Sequence, residues 1–343
     1  MKKNILALRH GIIQSYRRFD LEDATIKQEK QFAVFSANLY NAFPKLSPKK
    51  YLPLFKQVHI NRRLSFLDVE HVAYPDVLHI DGWNDAWVQG LKDRPGIICT
   101  YHTGSYRLIN YLLIQAGMPV SLVVSAKAYQ MEEKLKQNLY QHLATDIHAA
   151  FELINAEESH ALIHMARALR NGRSLVLYID GNTGTKVEEC VARNLVELKF
   201  FGQKMRVRKG LAVLAYRLAC PIYPIICRRL RNTGIVYSMH KPIIRINADE
   251  EASFTNWATK ILYKYLEDFL RQYPEQWEGW LYLQDSLMAR KARETSPNFD
   301  DLREWSLYRN QQKGFLLHRP SYRIYPVELS DYRQLKHWFG TYL

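Results

Sequence analysis

His102 is the residue best suited to chemistry, because it ends an apolar run and starts a turn of small residues in the sequence YHTGSYR. At the carboxyl end of a strand in an α/β sheet, where ligands bind, an imidazole can take a proton from a hydroxyl or an amine. Gly104 would let a substrate or the backbone approach closely, and the amides of the turn from Thr103 onward could hold an anion. The alternative is a histidine that only caps the turn.

Asp180 is a second candidate, because it ends the apolar run of YIDGNTG, with Asn182 two residues later. If the strands that begin near Gly96 and Ser174 are neighbours, Asp180 and His102 emerge at the same edge of the sheet. A carboxylate in that position could orient the imidazole or bind a polar headgroup. Because Asp-Gly is also a common turn pair, a turn cap is the alternative.

A third segment, KFFGQKMRVRKG at residues 199–210, interleaves aromatic and basic side chains. Phe201 and Gly202 would border an apolar pocket, and Arg206 and Arg208 would hold an anion beside it. A phosphopantetheine, a phosphate or an acidic partner would each fit such a site. An ordinary strand with a solvated basic edge is the alternative.

Other polar residues give no comparable signal. His160 and His164 share a helix face, but the residues between them do not form a zinc-binding HExxH motif, so we predict no metal site. The nucleophile elbow GxSxG and the phosphate-binding P-loop are both absent from the sequence. Four cysteines without metal or redox spacing indicate buried thiols in a reducing compartment: Cys99, Cys190, Cys220 and Cys227.

The composition narrows the class of protein and its partners. Of the 343 residues, 47% are hydrophobic, which excludes a globally disordered chain. Lys and Arg number 48 against 34 Asp and Glu, a net charge of +14. Such a basic surface favours nucleic acid, an anionic membrane surface or an acidic protein. Since no motif of a common DNA- or RNA-binding module occurs, we predict no nucleic-acid partner.

The elements that position these residues alternate between apolar, β-branched runs and amphipathic repeats. This order predicts an α/β fold whose central mixed, mostly parallel sheet is flanked by helices. We place an N-terminal helical segment at residues 1–74, the α/β core at 75–285 and a small C-terminal α+β extension at 286–343. Within these we expect a helix over 105–117, and strands at 147–154 and, as a pair, at 234–246. The extension is expected to hold a strand pair and a final helix.

The first twenty residues are too short and too polar to cross a bilayer, and they lack the small-residue cleavage site of a signal peptide. We therefore expect a cytoplasmic protein that touches the inner face of a membrane at most peripherally.

Taken together, these segments resemble the late acyltransferases of lipid A biosynthesis, within the wider glycerolipid acyltransferase superfamily. The resemblance covers roughly residues 75–285 and excludes the N-terminal helices and the tail. Four blocks carry it in the order of that family: HTGSYR after its strand, LVLYIDGNTG, FFGQKMRVRKGLAVLAYRLACPIYPIICRR, and YPEQWEGWLY after a long helix.

The resemblance implies a reaction. In that family a fatty acyl group passes from a thioester, usually on acyl carrier protein, to a hydroxyl, without a metal or another cofactor. A motif of His, four residues and an acid provides the base, and its histidine corresponds to His102. A carrier-protein or coenzyme A thioester would be the co-substrate here, and the basic surface would suit an acidic carrier or an anionic membrane surface.

Two departures from the family pattern shape the expectations. The acid position of the motif is Arg107, which would lower the imidazole pKa if held close. Asp180 is then the best carboxylate to orient His102, and Arg107 could instead bind a carboxylate or phosphate of the substrate. The usual N-terminal membrane anchor is also missing, which favours a soluble or carrier-bound acceptor, as in a natural-product pathway.

Three functions remain open from the sequence. The first is acyl transfer to a hydroxyl with His102 as general base. The second is an amide-forming condensation in which an amine acceptor brings a carboxylate for Arg107. The third is a non-catalytic homologue that binds acyl chains or carrier proteins.

Overall fold

The structure of the protein is a computed structural model, in which the apolar runs form strands and the amphipathic repeats form helices. It describes residues 2–70, 77–140, 147–181, 192–230, 233–246, 250–288, 299, 301–311 and 313–340. The helices are α1 (Lys2–Arg18), α2 (Ile26–Ala42), α3 (Tyr51–Glu70), α4 (Asp85–Asp93), α5 (Leu108–Gln115), α6 (Ala126–Tyr140), α7 (Ile147–Ala150), α8 (Ala161–Arg170), α9 (Gly210–Arg217), α10 (Glu251–Gln272) and α11 (Leu329–Gly340). The strands are β1 (His79–Asp81), β2 (Ile97–Thr100), β3 (Val120–Val124), β4 (Phe151–Asn155), β5 (Ser174–Tyr178), β6 (Leu195–Phe200), β7 (Gln203–Arg208), β8 (Ile222–Leu230), β9 (Gly234–Met239), β10 (Trp305–Asn310), β11 (Lys313–His318) and β12 (Arg323–Val327).

The central sheet has the strand order β1-β9-β8-β2-β5-β3-β4 within the described residues. β8 and β9 pair in antiparallel fashion, and each of the other neighbouring pairs is parallel. The sheet is therefore mixed and mostly parallel, as the sequence predicts. β2 and β5, the strands that precede His102 and Asp180, are direct neighbours, so both residues leave the sheet at one edge.

The sheet is covered on both faces because its central strands are apolar throughout. Along β2, Ile97 and Cys99 join the core formed with α2, α3, α9 and α10, whereas Ile98 joins the core formed with α4 and α5. Successive side chains of a strand point to opposite faces, so fully buried strands supply both cores.

The C-terminal extension packs against the N-terminal helices. β10, β11 and β12 form a separate antiparallel sheet, and Tyr308 and Leu317 of this sheet pack on Ala33 and Ala37 of α2. The Asn41 side chain also donates a hydrogen bond to the Arg319 carbonyl at 2.6 Å. The two ends of the chain therefore support one another.

The structure corrects four local expectations. Residues 147–154 begin with the helical turn α7 before β4, because two alanines favour a helix there. Helix α5 begins at Leu108 rather than at 105, since tertiary contacts hold the preceding turn. In 234–246 only the first segment is a regular strand within the described residues, and Ile243 makes an isolated bridge just after a proline, which cannot donate to a ladder. The extension holds three strands rather than a pair before its final helix.

Candidate active site

His102 and Asp180 meet at the carboxyl edge of β2 and β5, where Thr100 is in register with Tyr178. The His102 Nδ1 atom lies 2.9 Å from Asp180 Oδ1, and the His102 backbone N–H donates to Asp180 Oδ2 at 3.0 Å. An ionised carboxylate only accepts hydrogen bonds, so Nδ1 carries the proton and Nε2 keeps its lone pair. Within the described residues no hydrogen bond engages Nε2. The ring is thus oriented as a base.

Trp277 completes the support of this carboxylate. Its indole Nε1–H donates to Asp180 Oδ2 at 2.6 Å, and its side chain is buried. The residues around Trp277 also pair with the turn after β2, since Thr103 and Trp277 form an antiparallel bridge and the Gly104 amide donates to the Gln276 carbonyl at 3.0 Å. The sequence PEQW therefore holds both the histidine turn and the carboxylate, a role that spacing alone did not reveal.

The surroundings of His102 favour its protonated form. Its ring packs against Tyr106 and Tyr178, with centroids 4.7 and 4.8 Å away, and its side chain is 18% exposed. Burial by itself lowers the His102 pKa, but the charge and hydrogen bond of Asp180, with the charge of Glu278, outweigh burial. Arg107 opposes them with a smaller effect, so the net pKa is raised.

The turn amides do not form the expected anion site. The amides of Thr103, Gly104 and Ser105 donate to the Tyr101 carbonyl, the Gln276 carbonyl and the Cys227 Sγ atom. Gly104 has a φ of +56°, and a Cβ there would lie 2.7 Å from the Cys227 carbonyl oxygen. Glycine is required because backbone, not substrate, approaches it. The Thr103 side chain is fully buried with no hydrogen-bond partner for Oγ1.

Arg107 is held by aromatic rings rather than by a carboxylate. Its guanidinium carbon lies 3.7 Å from the Phe66 ring centroid and 4.2 Å from that of Tyr106, and Nη1 donates to Ser65 Oγ at 3.4 Å. In the part of the chain that the structure describes, no carboxylate forms an ion pair with Arg107, and its buried Nε has no hydrogen-bond partner. Stacked in this way, the guanidinium keeps donors for an anionic group.

The basic segment at 199–210 forms the β6–β7 hairpin, which lies beside the dyad rather than in it. Phe201 and Gly202 occupy its turn with φ values of 48° and 76°. Arg206 pairs with Glu197 on the exposed face, and Arg208 is exposed as well. Across the described residues, no hydrogen bond, ion pair or ring contact joins these four predicted site residues to His102 or Asp180. Asn182 lies outside the described residues.

The match to a family model decides the class of protein. Residues 50–284, more than half of the chain, match the bacterial lipid A biosynthesis acyltransferase model. The chain belongs to this family. It is therefore an acyltransferase of lipid metabolism. The match begins at residue 50 and so includes α3, which the sequence analysis assigned to the N-terminal segment.

The acyltransferase was also compared with curated proteins and with solved structures. No functionally curated protein matches it significantly. Among solved structures, it is similar to the 1-acyl-sn-glycerophosphate acyltransferase PlsC from Thermotoga maritima, at 12% sequence identity and a TM-score of 0.36. That similarity covers 71% of this chain and 95% of the PlsC chain.

The described residues of the acyltransferase contain neither a candidate metal cluster nor a candidate membrane span. In these ranges no three His, Cys, Asp or Glu side chains are grouped so as to hold a metal ion. Likewise, none of the helices described is both long and apolar enough to span a membrane.

A buried charged cluster anchors the histidine turn of the acyltransferase to α3. The Asp68 carboxylate accepts hydrogen bonds from Ser105 Oγ, from Arg229, and from Arg9 at 2.5 Å. Burial by itself raises the Asp68 pKa, but the charges of Arg229 and Arg9 outweigh it and lower the pKa. Sequence reasoning missed this cluster because its members are scattered over the chain and share no spacing.

Replacing Asp68 with asparagine is expected to lower the free energy of unfolding by about 3–5 kcal/mol, because two buried guanidinium groups lose the negative charge of Asp68. Urea denaturation measures this change. Ser105→Ala removes only one neutral donor, so it serves as the control, with a loss of about 1 kcal/mol. Equal stability of Asp68→Asn and the native protein would show that the cluster does not hold the turn.

Proposed function

We propose that the acyltransferase moves an acyl group from a thioester on acyl carrier protein or coenzyme A to a hydroxyl or amine acceptor, with His102 as general base. The observation that carries this proposal is the His102–Asp180–Trp277 arrangement, which leaves Nε2 of a partly exposed, oriented imidazole free to accept a proton. We further propose that the enzyme works in the cytoplasm on a soluble or carrier-bound acceptor, or at an anionic membrane surface.

The reaction follows from this geometry. Nε2 of His102 takes the proton of the acceptor as its oxygen or nitrogen attacks the thioester carbonyl. Asp180 stabilises the imidazolium that forms, because the Nδ1–H bond becomes charge-assisted. When the tetrahedral intermediate collapses, the carbon–sulfur bond breaks, and the imidazolium returns the proton to the departing thiolate. The products are the acylated acceptor and the free thiol.

Arg107 favours an acceptor with an anionic group. Its guanidinium adjoins the dyad, since Tyr106 packs against both the His102 ring and the guanidinium. The charge of Glu132 acts on this region without pairing directly with Arg107. A carboxylate or phosphate of the acceptor would make the direct ion pair that no described carboxylate makes. This observation also supports the amide-forming alternative, in which an amine acceptor carries its own carboxylate.

The test is to incubate the protein with acyl carrier, acyl-coenzyme A and acyl-pantetheine thioesters, together with hydroxyl and amine acceptors with and without an anionic group. We expect mass spectrometry to detect acylated product with an anionic acceptor. Arg107→Met should raise the KM for that acceptor by about 10- to 100-fold, and Arg107→Lys by less, with little change in the KM for the thioester. Absence of product from every thioester and acceptor would refute the proposed function.

A further inference from the structure

A groove on the outer side of the molecule runs between the β6–β7 hairpin and α10. Its volume is about 530 Å³, and most of its polar lining is basic. We call it the lysine groove; it is lined by Glu197, Leu198, Lys199, Lys204, Trp257, Lys260, Ile261, Lys264 and Glu267. None of these residues takes part in the site described above.

The hairpin side of the groove carries an unfavourable pair of like charges. Lys199 and Lys204 are direct cross-strand partners, and both face solvent. Like charges in that relation repel each other, so they destabilise an isolated hairpin. Among the described residues neither lysine has an ion-pair partner. An anion that sits over the pair would remove the repulsion.

The acidic residues of the groove are already neutralised. Glu197 forms an ion pair with Arg206 at 2.8 Å. Glu267 pairs with Arg271 and accepts the Phe201 amide at 3.1 Å. These two carboxylates therefore do not offset the charges of Lys199, Lys204 and Lys260.

Helix α10 adds an apolar strip and further positive charge. Trp257 is 53% exposed, and Ile261 follows one turn later. Lys260 and Lys264 flank them. Lys260 supplies the added charge, because the charge of Lys264 is offset by its ion pair with Asp268. From residue 257 to 267 the lining extends about 15 Å along α10, which is the length of nearly three helical turns.

The hairpin and α10, which form the two walls of the groove, also support the catalytic carboxylate on the side that faces the core. Phe200, between Lys199 and the hairpin turn, packs against Trp277 with ring centroids 5.7 Å apart. From α10, Tyr263 donates a hydrogen bond to the Ile179 carbonyl at 2.9 Å, next to Asp180. A partner in the lysine groove would thus lie one layer of side chains from the dyad.

We propose that the lysine groove docks an acidic helix of the carrier protein that delivers the acyl thioester. This inference rests on the proposed function, because it assigns the donor of that reaction. The groove offers positive charge on both walls, a lining about as long as three helical turns and an apolar centre at Trp257 and Ile261, which suits a helix with carboxylates flanking an apolar face. A planar bilayer does not enter a concave groove, so the shape favours a protein partner over a membrane.

The test compares Lys199→Glu/Lys204→Glu with the native protein on two donors and one acceptor. For the acyl carrier thioester, KM is expected to rise at least 10-fold and to lose its dependence on salt. For the acyl-pantetheine thioester, which has no protein surface, kcat/KM is expected to stay within about twofold. Trp257→Ala should raise the carrier KM as well. Because all three side chains are exposed, these variants should fold.

Lys92→Glu/Lys313→Glu is the matched control, since it makes the same change in charge on exposed residues away from the groove. An unchanged carrier KM in the groove variant, or an equal rise in the control, would overturn the proposal. A matching rise in the acyl-coenzyme A KM would also overturn it and assign the groove to a nucleotide. Lost binding to anionic vesicles with an unchanged carrier KM would assign it to a membrane. If the native protein makes no product from any of these thioesters, the proposed function fails instead.

Discussion

Replacing His102 with alanine is expected to lower kcat/KM for acyl transfer by about 10²- to 10⁴-fold, the usual contribution of a general base. Without the imidazole, the acceptor must attack while still protonated, and the proton has no route to the departing thiolate. Mass-spectrometric rates of product formation measure the loss. The KM for the thioester should change little, because Nε2 acts on the acceptor.

An exposed histidine–aspartate pair elsewhere in the chain provides the control. His79 Nε2 lies 3.4 Å from Asp81 Oδ1, and both side chains are largely exposed. His79→Ala is expected to retain native activity. If His102→Ala also retained native activity with an intact fold, as judged by circular dichroism, His102 would not be the base.

Replacing Asp180 with asparagine, a side chain of nearly the same size, is expected to lower kcat by about 10²- to 10⁴-fold. The carboxylate accepts from the His102 ring, the His102 amide and the Trp277 indole. An asparagine presents one oxygen and one NH₂ group, so at least one of these donors faces another donor. The negative charge that stabilises the imidazolium is lost as well.

The same substitution is expected to shift the pH profile. The His102 pKa is raised chiefly by Asp180 against the effect of burial, and the neutral imidazole is the active form. Native kcat/KM should therefore fall as the pH drops through this raised pKa. In Asp180→Asn, the loss of the charge lowers the His102 pKa, so the acid limb moves to lower pH. Asp81→Asn is the control, and an acid limb that stays in place would contradict the electrostatic role of Asp180.

The sequence predicted the sheet and the meeting of His102 with Asp180 for the same physical reason. Apolar runs mark buried parallel strands, and polar residues that follow neighbouring strands collect at one edge. That prediction assumed that the two strands are neighbours, and in the structure β2 and β5 do pair directly. Asp180 was predicted to be the orienting acid because Arg107 occupies the acid position of the family motif. The role of Asp180 in catalysis stays a prediction.

Long-range contacts account for what sequence reasoning missed. The turn amides looked free for an anion, but Gln276 and Cys227, far along the chain, already accept from them. Asp68 holds Ser105 from a helix that the sequence analysis placed outside the core. The basic hairpin was predicted to line the substrate site, yet its alternation turns its charged side chains outward. A local sequence pattern cannot predict which distant residues will accept the hydrogen bonds of a turn.

Position 107 allows a direct test of whether Asp180, and not the acid position of the family motif, orients the catalytic histidine. The measurement is kcat/KM of Asp180→Asn alone and combined with Arg107→Glu, which restores an acid at the family position. We predict that the double variant is no more active than Asp180→Asn, because the side chain of Arg107 is directed towards Phe66 whereas Nδ1 faces Asp180. Recovery of activity toward the native value in the double variant would contradict this account.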